Sequence, residues 1–250
     1  MSNTQAVLER IALPYNMTEQ VFDDLLTDLC VIHPDDADIY LQNKVYESWI
    51  LEDGIIKALD YSTDQGIGFR VVCGETTGYA FSEDMDLSVL QATALAARSI
   101  GENSEVVRKP AHAIDVAKPR LYTDANPIAY WQDTQKVQLL KDLERYARSA
   151  SMAVEKCNAS IKMQYEHVLI KRFDGQLVGD IRPLVCIDVH VICCQDGVRH
   201  AGSASFGGRY TMDHLMTDAK CERTAHEAVR LAMLGFNAIA APAGEMTVVL

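Results

Sequence analysis

The pair His226-Glu227 is the first candidate for chemistry, because zinc peptidases often carry the motif His-Glu-x-x-His on a helix. In that motif two imidazoles stand one helical turn apart, so that they share a metal ion. Here the fifth residue is Arg230, a cation that cannot serve as a ligand, and no second histidine follows it. The sequence therefore predicts that His226 is a histidine on a helix surface rather than a metal ligand.

A second group of metal-binding residue types comprises His190, Cys193, Cys194 and His200, placed around a predicted hairpin. Side chains alternate between the two faces of a strand, so His190 and Cys194 share one face while Cys193 lies on the other. Two converging ligands do not complete a structural zinc site. The pattern favours a polar outer face with a buried cysteine.

Two glycine-rich segments are candidates for binding. Gly66 and Gly68, with Gly74 further on, resemble part of a dinucleotide loop, but their spacing does not fit the motif and no helix follows. We expect them to relieve a bulge or a close packing contact. The other segment, 202–209, ends in Gly207, Gly208 and Arg209, where the backbone permits close approach and the guanidinium can bind a carboxylate. A plain flexible loop is the favoured interpretation of this segment, and these three residues are our candidates for substrate or interface contact.

Charge and composition exclude several classes of function. The chain has 23 Lys and Arg against 35 Asp and Glu, a formal net charge of −12, and no long basic cluster. A nucleic-acid partner is not expected, because phosphate binding needs a basic footprint. An anionic membrane surface is not expected either. With 48% hydrophobic residues, the chain has enough apolar material for a sizeable core.

The expected location is the cytoplasm. The first residues lack the basic start and apolar core of a secretory signal, and no apolar stretch reaches the length needed to span a bilayer. The seven cysteines are an odd number without regular spacing, which is typical of reduced thiols.

The elements of the first half follow from apolar periodicity and turn residues. Asn16 and Glu19 have the spacing of a capping box at the start of a helix. Glu52-Asp53-Gly54 is a hairpin turn, and a second turn falls at Gly74-Glu75. The predicted elements are a helix over 17–29, paired strands over 45–51 and 55–61, a second pair over 69–73 and 77–81, and a helix over 84–100.

The second half repeats this plan on a larger scale. Asp133 is the predicted N-cap of a long amphipathic helix over 134–157. Hairpins are expected at Asp174-Gly175 and Asp196-Gly197, because each Asp-Gly pair is flanked by β-branched residues. A helix over 217–234 and a strand over 246–250 complete the predicted elements.

These elements predict an α+β fold with two domains, each an antiparallel sheet with packed helices. Periodicity fades in the proline-containing middle of the chain, which indicates a linker. The expected ranges are 1–105 for the N-terminal domain, 106–130 for the linker, 131–240 for the central domain, and 241–250 for the first strand of a further, C-terminal domain.

Several segments in one order along the chain carry a resemblance to a known family. Among them are the sequences Glu-Ser-Trp-Ile-Leu-Glu-Asp at 47–53, Asp-Gln-Gly-Ile-Gly-Phe-Arg at 64–70 and Asp-Ile-Arg-Pro-Leu-Val at 180–185. The remaining matching segments are 56–57, 74–78, 96–98, 202–210, 227–230 and 241–244. Together they resemble the N-terminal half of a TldD-type metallopeptidase of the TldD/PmbA family, and the resemblance covers nearly the whole chain.

The resemblance implies a cytoplasmic zinc metallopeptidase that acts on unfolded or small peptides as a heterodimer with a PmbA-like (TldE-like) subunit. In the family, zinc is held by a His-Glu-x-x-x-His helix and a later cysteine, and the Glu acts as general base. That motif belongs after the strand on which this sequence stops, and His226-Glu227 does not align with it. None of the family's catalytic or metal residues can be placed on this chain.

The function predicted from the resemblance is the N-terminal, substrate-framing and dimerising part of a zinc peptidase, inactive alone and without bound zinc. Two alternatives remain. The first is a non-catalytic binding or regulatory module that pairs with a PmbA-like subunit. The second is an independent small-molecule enzyme that uses His190 or the Cys193-Cys194 pair.

Overall fold

A computed structural model describes residues 3–101, 121–240 and 243–248 of the chain. Its strands are β1 (Asp36–Glu52), β2 (Ile55–Cys73), β3 (Thr76–Ser82), β4 (Val154–Arg172), β5 (Leu177–Gln195) and β6 (Val198–Gly208). Its α-helices are α1 (Asn3–Val7), α2 (Glu19–Leu29), α3 (Leu87–Gly101), α4 (Pro127–Tyr130), α5 (Asp133–Ala150), α6 (Met212–Leu215) and α7 (Asp218–Leu234). Short 3-10 or π turns occupy Leu8–Ala12, Leu13–Tyr15, Cys30–Ile32 and Gly235–Asn237. Within the described ranges, no helix has the length and apolar character to cross a membrane.

All six strands form one antiparallel sheet in the order β3-β2-β1-β4-β5-β6. The two halves of the sequence meet where β1 pairs with β4, from Asp38 opposite Arg172 to Glu52 opposite Asn158. The α+β class is confirmed, with a sheet that is continuous across the two halves. The division into domains at 105 and 131 stays a prediction, and most of the expected linker lies outside the described residues.

The hairpin turns follow the predicted Asp-Gly pairs. Asp53 and Gly54 both have positive φ, at 46° and 81°, and Asp196 and Gly197 repeat this at 50° and 81°. Two successive residues of positive φ match the twist of the flanking strands, and Asp and Gly tolerate that backbone at low cost. The strands run further than predicted, because 55–61 and 69–73 belong to the single strand β2.

The helices pack on one face of the sheet and form two buried clusters, one toward each end of the strands. Around Phe22, Ile39 and Phe69, the first cluster packs α1, α2 and α3 onto β1, β2 and the near parts of β4 and β5. Around Leu140 and Ile187, the second packs α5 and α7 onto the opposite part of the sheet. The other face carries no helix in the described part of the chain, and the even-numbered residues of β1 and β5, and those of β4 from Lys156 onward, lie on it. We call it the open face.

Several predicted boundaries differ from the structure. Thr18 caps α2, where its side chain accepts a hydrogen bond from the Val21 N–H, while Asn16 has a φ of 59° and ends the preceding 3-10 turn. Helix α5 is capped by Gln132 instead of Asp133 and ends at Ala150, because Ser151 takes an extended backbone. The predicted helical residues 154–157 belong to β4.

The predicted terminal strand is not formed in its described part. Residues 243–248 have no strand assignment, and the remaining two positions lie outside the described residues. An isolated apolar segment gains strand geometry only from hydrogen bonds to a neighbouring strand, and no described strand pairs with this one.

Candidate functional site

The three predicted contact residues lie where β6 ends. The segment 202–208 is part of this strand, so the favoured interpretation as a plain flexible loop is wrong for these positions, and Arg209 follows directly after the strand. At Gly207 a Cβ atom would lie 2.2 Å from the Val185 carbonyl oxygen, so only glycine permits this close approach of β6 to β5. Whether Gly207, Gly208 and Arg209 contact a substrate or a partner stays a prediction.

Arg209 is held against the part of β5 that β6 no longer covers. Its guanidinium donates a hydrogen bond to the Pro183 carbonyl oxygen at 3.2 Å. The guanidinium carbon also lies 5.3 Å from the centre of the Tyr122 ring, which is within the range of a cation–π contact. Arg209 is therefore fixed at the margin of the open face.

Tyr122 contacts Arg209 through its ring and a carboxylate of the open face through its hydroxyl group. Its hydroxyl donates to Asp180 Oδ2 at 2.6 Å, and Arg182 Nε donates to the same oxygen at 2.8 Å. Burial opposes ionisation of Asp180, but the hydrogen bonds from Tyr122 and Arg182 outweigh it and lower the pKa of this carboxyl. Asp180 is therefore an ionised acceptor shared by two donors.

The polar row continues across β4 to β1. Glu166 lies opposite Arg182 in the register, is only 9% exposed, and accepts a hydrogen bond from the Gln42 side chain. Tyr40 lies beside this pair, and burial, followed by the charge of Glu166, raises the pKa of its hydroxyl. The row places donors and acceptors in alternation over three neighbouring strands.

A cavity of about 320 Å³ opens beyond Gln42 on the same face, over β1, β2 and β3. Its floor includes Gly68, over which the Tyr79 ring lies so closely that a Cβ atom there would be 2.7 Å from the Tyr79 hydroxyl. The expectation that Gly68 relieves a close packing contact is confirmed, whereas the register irregularity between β1 and β2 lies elsewhere, between Ile50 and Leu51. Gly74 serves a turn, with a φ of 57°.

His226 and Glu227 lie on α7, as predicted. The His226 side chain is 42% exposed and its Nε2 is 4.0 Å from Glu222, while Glu227 binds Arg230 through two hydrogen bonds of 2.7 Å. Glu227 and Arg230 therefore satisfy each other. His226 therefore has one carboxylate nearby, that of Glu222, and no third ligand-type side chain joins them within the described residues.

The residues around the hairpin of β5 and β6 do not converge either. Cys193 is fully buried on the helix side, whereas His190 is exposed on the open face, as the alternation predicts. His200 packs edge-on against Phe236 with ring centres 4.7 Å apart. Within 3–101, 121–240 and 243–248, no three His, Cys, Asp or Glu side chains are close enough to hold a metal ion. The described donor set therefore does not fit zinc.

Sequence patterns did not indicate the buried His167. Its side chain lies on the helix face of β4, 1% exposed, with its ring 4.6 Å edge-on from Tyr165. Neither ring nitrogen has a hydrogen-bond partner among the residues that the structure describes. Burial, with a smaller contribution from Arg10, lowers the pKa of His167 to about 4. It is therefore neutral at physiological pH.

Solved structures share this arrangement of sheet and helices. A protein of Thermotoga maritima, described as a proposed modulator of a DNA gyrase, aligns with a TM-score of 0.70 at 16% identity, over 91% of this chain and 50% of its own. TldE from Thermococcus kodakarensis aligns with a TM-score of 0.58 at 13% identity, over 85% of this chain and 47% of its own. The fold is therefore the α+β fold of TldE-like proteins.

Sequence relatives define the family more closely. Residues 37–101 match the PmbA/TldA metallopeptidase domain 1, and residues 126–235 match the central domain of the same family. The chain belongs to the PmbA/TldD metallopeptidase family. A metalloprotease TldD homolog of Haemophilus influenzae is 36% identical over 98% of this chain, and one of Buchnera aphidicola from Schizaphis graminum is 33% identical over 98%. The chain spans about half the length of these relatives, 52% in each case.

Proposed function

We propose that this chain is the N-terminal, substrate-framing and dimerising part of a cytoplasmic zinc metallopeptidase that degrades unfolded or small peptides. Membership of the family and the names of the TldD homologs support the reaction class. The observation that carries the role of this half is the open face, where an ordered polar row and an aromatic cavity lie side by side.

The open face has the chemical character of a surface that orients a polypeptide. Asp180 and Glu166 provide acceptors, while Arg182 and Arg209 provide donors at fixed positions. Groups that are already held by their neighbours lose little conformational freedom when a ligand binds. The role of these residues in the proposal is to bind and orient, not to react.

The zinc ion of the proposed enzyme would be held by polypeptide other than the described residues, since their donor set does not fit a metal. Zinc would supply an activated water for peptide hydrolysis. His226, Cys193 and Cys194 have no part in that chemistry in this proposal. By this account the 250-residue chain alone cleaves no peptide.

The proposed partner is a PmbA-like, or TldE-like, subunit. The support is that TldE of Thermococcus kodakarensis has the same fold over most of this chain. Two subunits built on one fold can pair through equivalent surfaces around an approximate twofold axis. The alternative function is a non-catalytic module that binds such a subunit and regulates or occupies it.

Reconstitution tests the proposal. The chain would be mixed with the separately produced C-terminal half of a TldD-type relative and a PmbA-like subunit, and cleavage of an unstructured peptide followed with zinc or with a chelator. We expect a defined complex on size-exclusion chromatography and chelator-sensitive cleavage only when all parts are present. A complex without cleavage would support the regulatory module, and the absence of any complex would contradict both functions.

A matched pair of variants tests the open face in the same assay. Arg209→Met removes the guanidinium over Tyr122, whereas Arg199→Met removes an exposed arginine at the other end of β6 that pairs with Glu155. We expect the first variant to raise the KM for peptide and the second to leave it unchanged. Equal effects of the two substitutions would contradict a substrate-framing role for Arg209.

A further inference from the structure

The cavity on the open face has walls of aromatic rings over a glycine floor. Tyr79 and Phe81 lie on β3 with ring centres 6.4 Å apart, and their side chains remain 55% and 66% exposed. Gly66 and Gly68 present only backbone beneath them, and Tyr40 and Gln42 form the side toward β1. Exposed, neighbouring aromatic faces attract cations through their ring quadrupoles.

Two carboxylates complete the lining, from Asp64 on β2 and Glu83 just after β3. Neither forms a hydrogen bond or an ion pair with any residue in the described ranges. Lys44 lies opposite Asp64 in the strand register but makes no ion pair with it, while Arg70 is bound to Asp36 and Asp38. No ion pair among the described residues therefore neutralises either carboxylate, and Lys44, on the neighbouring strand, is the cation that lies opposite Asp64.

We propose that this cavity binds the cationic side chain of an arginine or lysine carried by a peptide. Its volume of about 320 Å³ is at the small end of ligand pockets, which suits one side chain better than a cofactor. A guanidinium can stack on the faces of Tyr79 and Phe81 while its N–H groups donate to Asp64 or Glu83. The inference rests on the proposed function for its peptide ligand and adds the class of side chain selected.

Binding of two fluorescein-labelled peptides to the full chain tests this inference. The peptides Gly-Gly-Arg-Gly-Gly and Gly-Gly-citrulline-Gly-Gly differ only in charge at one side chain, and fluorescence polarisation measures each Kd. We expect the arginine peptide to bind about three- to tenfold more tightly, a difference that shrinks at high salt. Equal affinity for the two peptides would overturn the inference.

Variants locate the binding. Tyr79→Leu and Asp64→Asn should each remove most of the preference for arginine, while Lys44→Met should strengthen it because a competing cation is lost. Tyr61→Leu is the matched control, since Tyr61 is 61% exposed but lies on the neighbouring strand β2 and on the opposite face of the sheet. A loss as large in the control as in Tyr79→Leu would place the binding elsewhere and overturn the inference.

The outcomes separate this inference from the proposed function. A reconstituted enzyme that cleaves peptides without any preference for a basic residue would leave the function standing and remove the inference. A chain that prefers the arginine peptide but forms no complex with a PmbA-like subunit would support the inference and contradict the function. Thermal melts of each variant confirm that the exposed substitutions leave the fold intact.

Discussion

Replacing Lys136 by Met should destabilise the chain strongly. The Lys136 side chain is only 2% exposed, and its ammonium lies 2.6 Å from Glu47 Oε1, whose side chain is 10% exposed. The substitution leaves the carboxylate buried with one remaining donor, the Trp49 indole N–H at 2.6 Å. Breaking a buried ion pair by removing one partner costs about 3–5 kcal/mol, and the indole hydrogen bond places this case near about 3 kcal/mol.

Urea unfolding and thermal melts measure this effect. For a chain of this size, about 3 kcal/mol corresponds to a decrease of roughly 6–12 °C in Tm. Lys141→Met is the control, because Lys141 is exposed on the same helix, and it should change stability by no more than about 0.5 kcal/mol. The double variant Lys136→Met with Glu47→Gln should recover about 2 kcal/mol, since it removes the unpaired charge and keeps an acceptor for Trp49.

The same experiment reports on the coupling of the two halves. Glu47 lies on β1 and Lys136 on α5, so the pair joins elements from the two expected domains. With the sheet continuous between them, we expect one cooperative unfolding transition. Equal stability of the Lys136 and Lys141 variants would refute the energetic argument, and two separate transitions would instead favour independent domains.

Three further predictions concern single residues. His167→Phe should reduce the loss of stability on acidification, because the pKa of His167 is about 4 in the folded chain against an ordinary 6.5. The native chain therefore loses up to about 3 kcal/mol of stability from this group as the pH falls from 6.5 to 4. Urea unfolding across that pH range measures the difference, and a variant that loses as much stability as the native chain would contradict the prediction. Gly78→Ala should destabilise the chain far more than Gly68→Ala. A Cβ atom at Gly78 would lie 2.1 Å from the Ala97 carbonyl oxygen of α3, whereas a Cβ atom at Gly68 meets only the movable end of Tyr79. Thermal melts measure both variants, and a lower Tm for Gly68→Ala than for Gly78→Ala would contradict the prediction. His226→Ala should change stability by no more than about 0.5 kcal/mol, and a larger loss in the same melts would show that the imidazole has a structural role.

Local chemistry explains what the sequence predicted well. The Asp-Gly turns could be located because a backbone of positive φ is cheap for few residue types. The faces of β5 were assigned correctly because successive side chains of a strand point to opposite faces of the sheet. Cys193 therefore lies on the buried helix side and His190 on the open face. His226 was also expected on the surface of a helix, and its side chain is partly exposed on α7.

Non-local pairing explains what the sequence could not show. Nothing in the residues of β1 or β4 alone indicates that they pair with one another, so one sheet was expected to be two. The open-face row was also missed, because Tyr122 and Asp180 are far apart in sequence and only the end of β6 creates the space where they meet. The start of β4 was misplaced because Val154 fits a helical stripe as well as a strand.

The pairing of β1 with β4 sets the order in which the chain can fold. The hairpins of β1, β2 and β3 need only short loops and can form as soon as those residues are available. One side of β1 then stays open until Asn158 to Arg172 arrive, because the contact closes a loop that contains all of β2, β3, α3 and α5. Such closure is slow and leaves an unpaired strand edge exposed meanwhile. During synthesis, completion of β4 is therefore the step that removes a site for association with other chains.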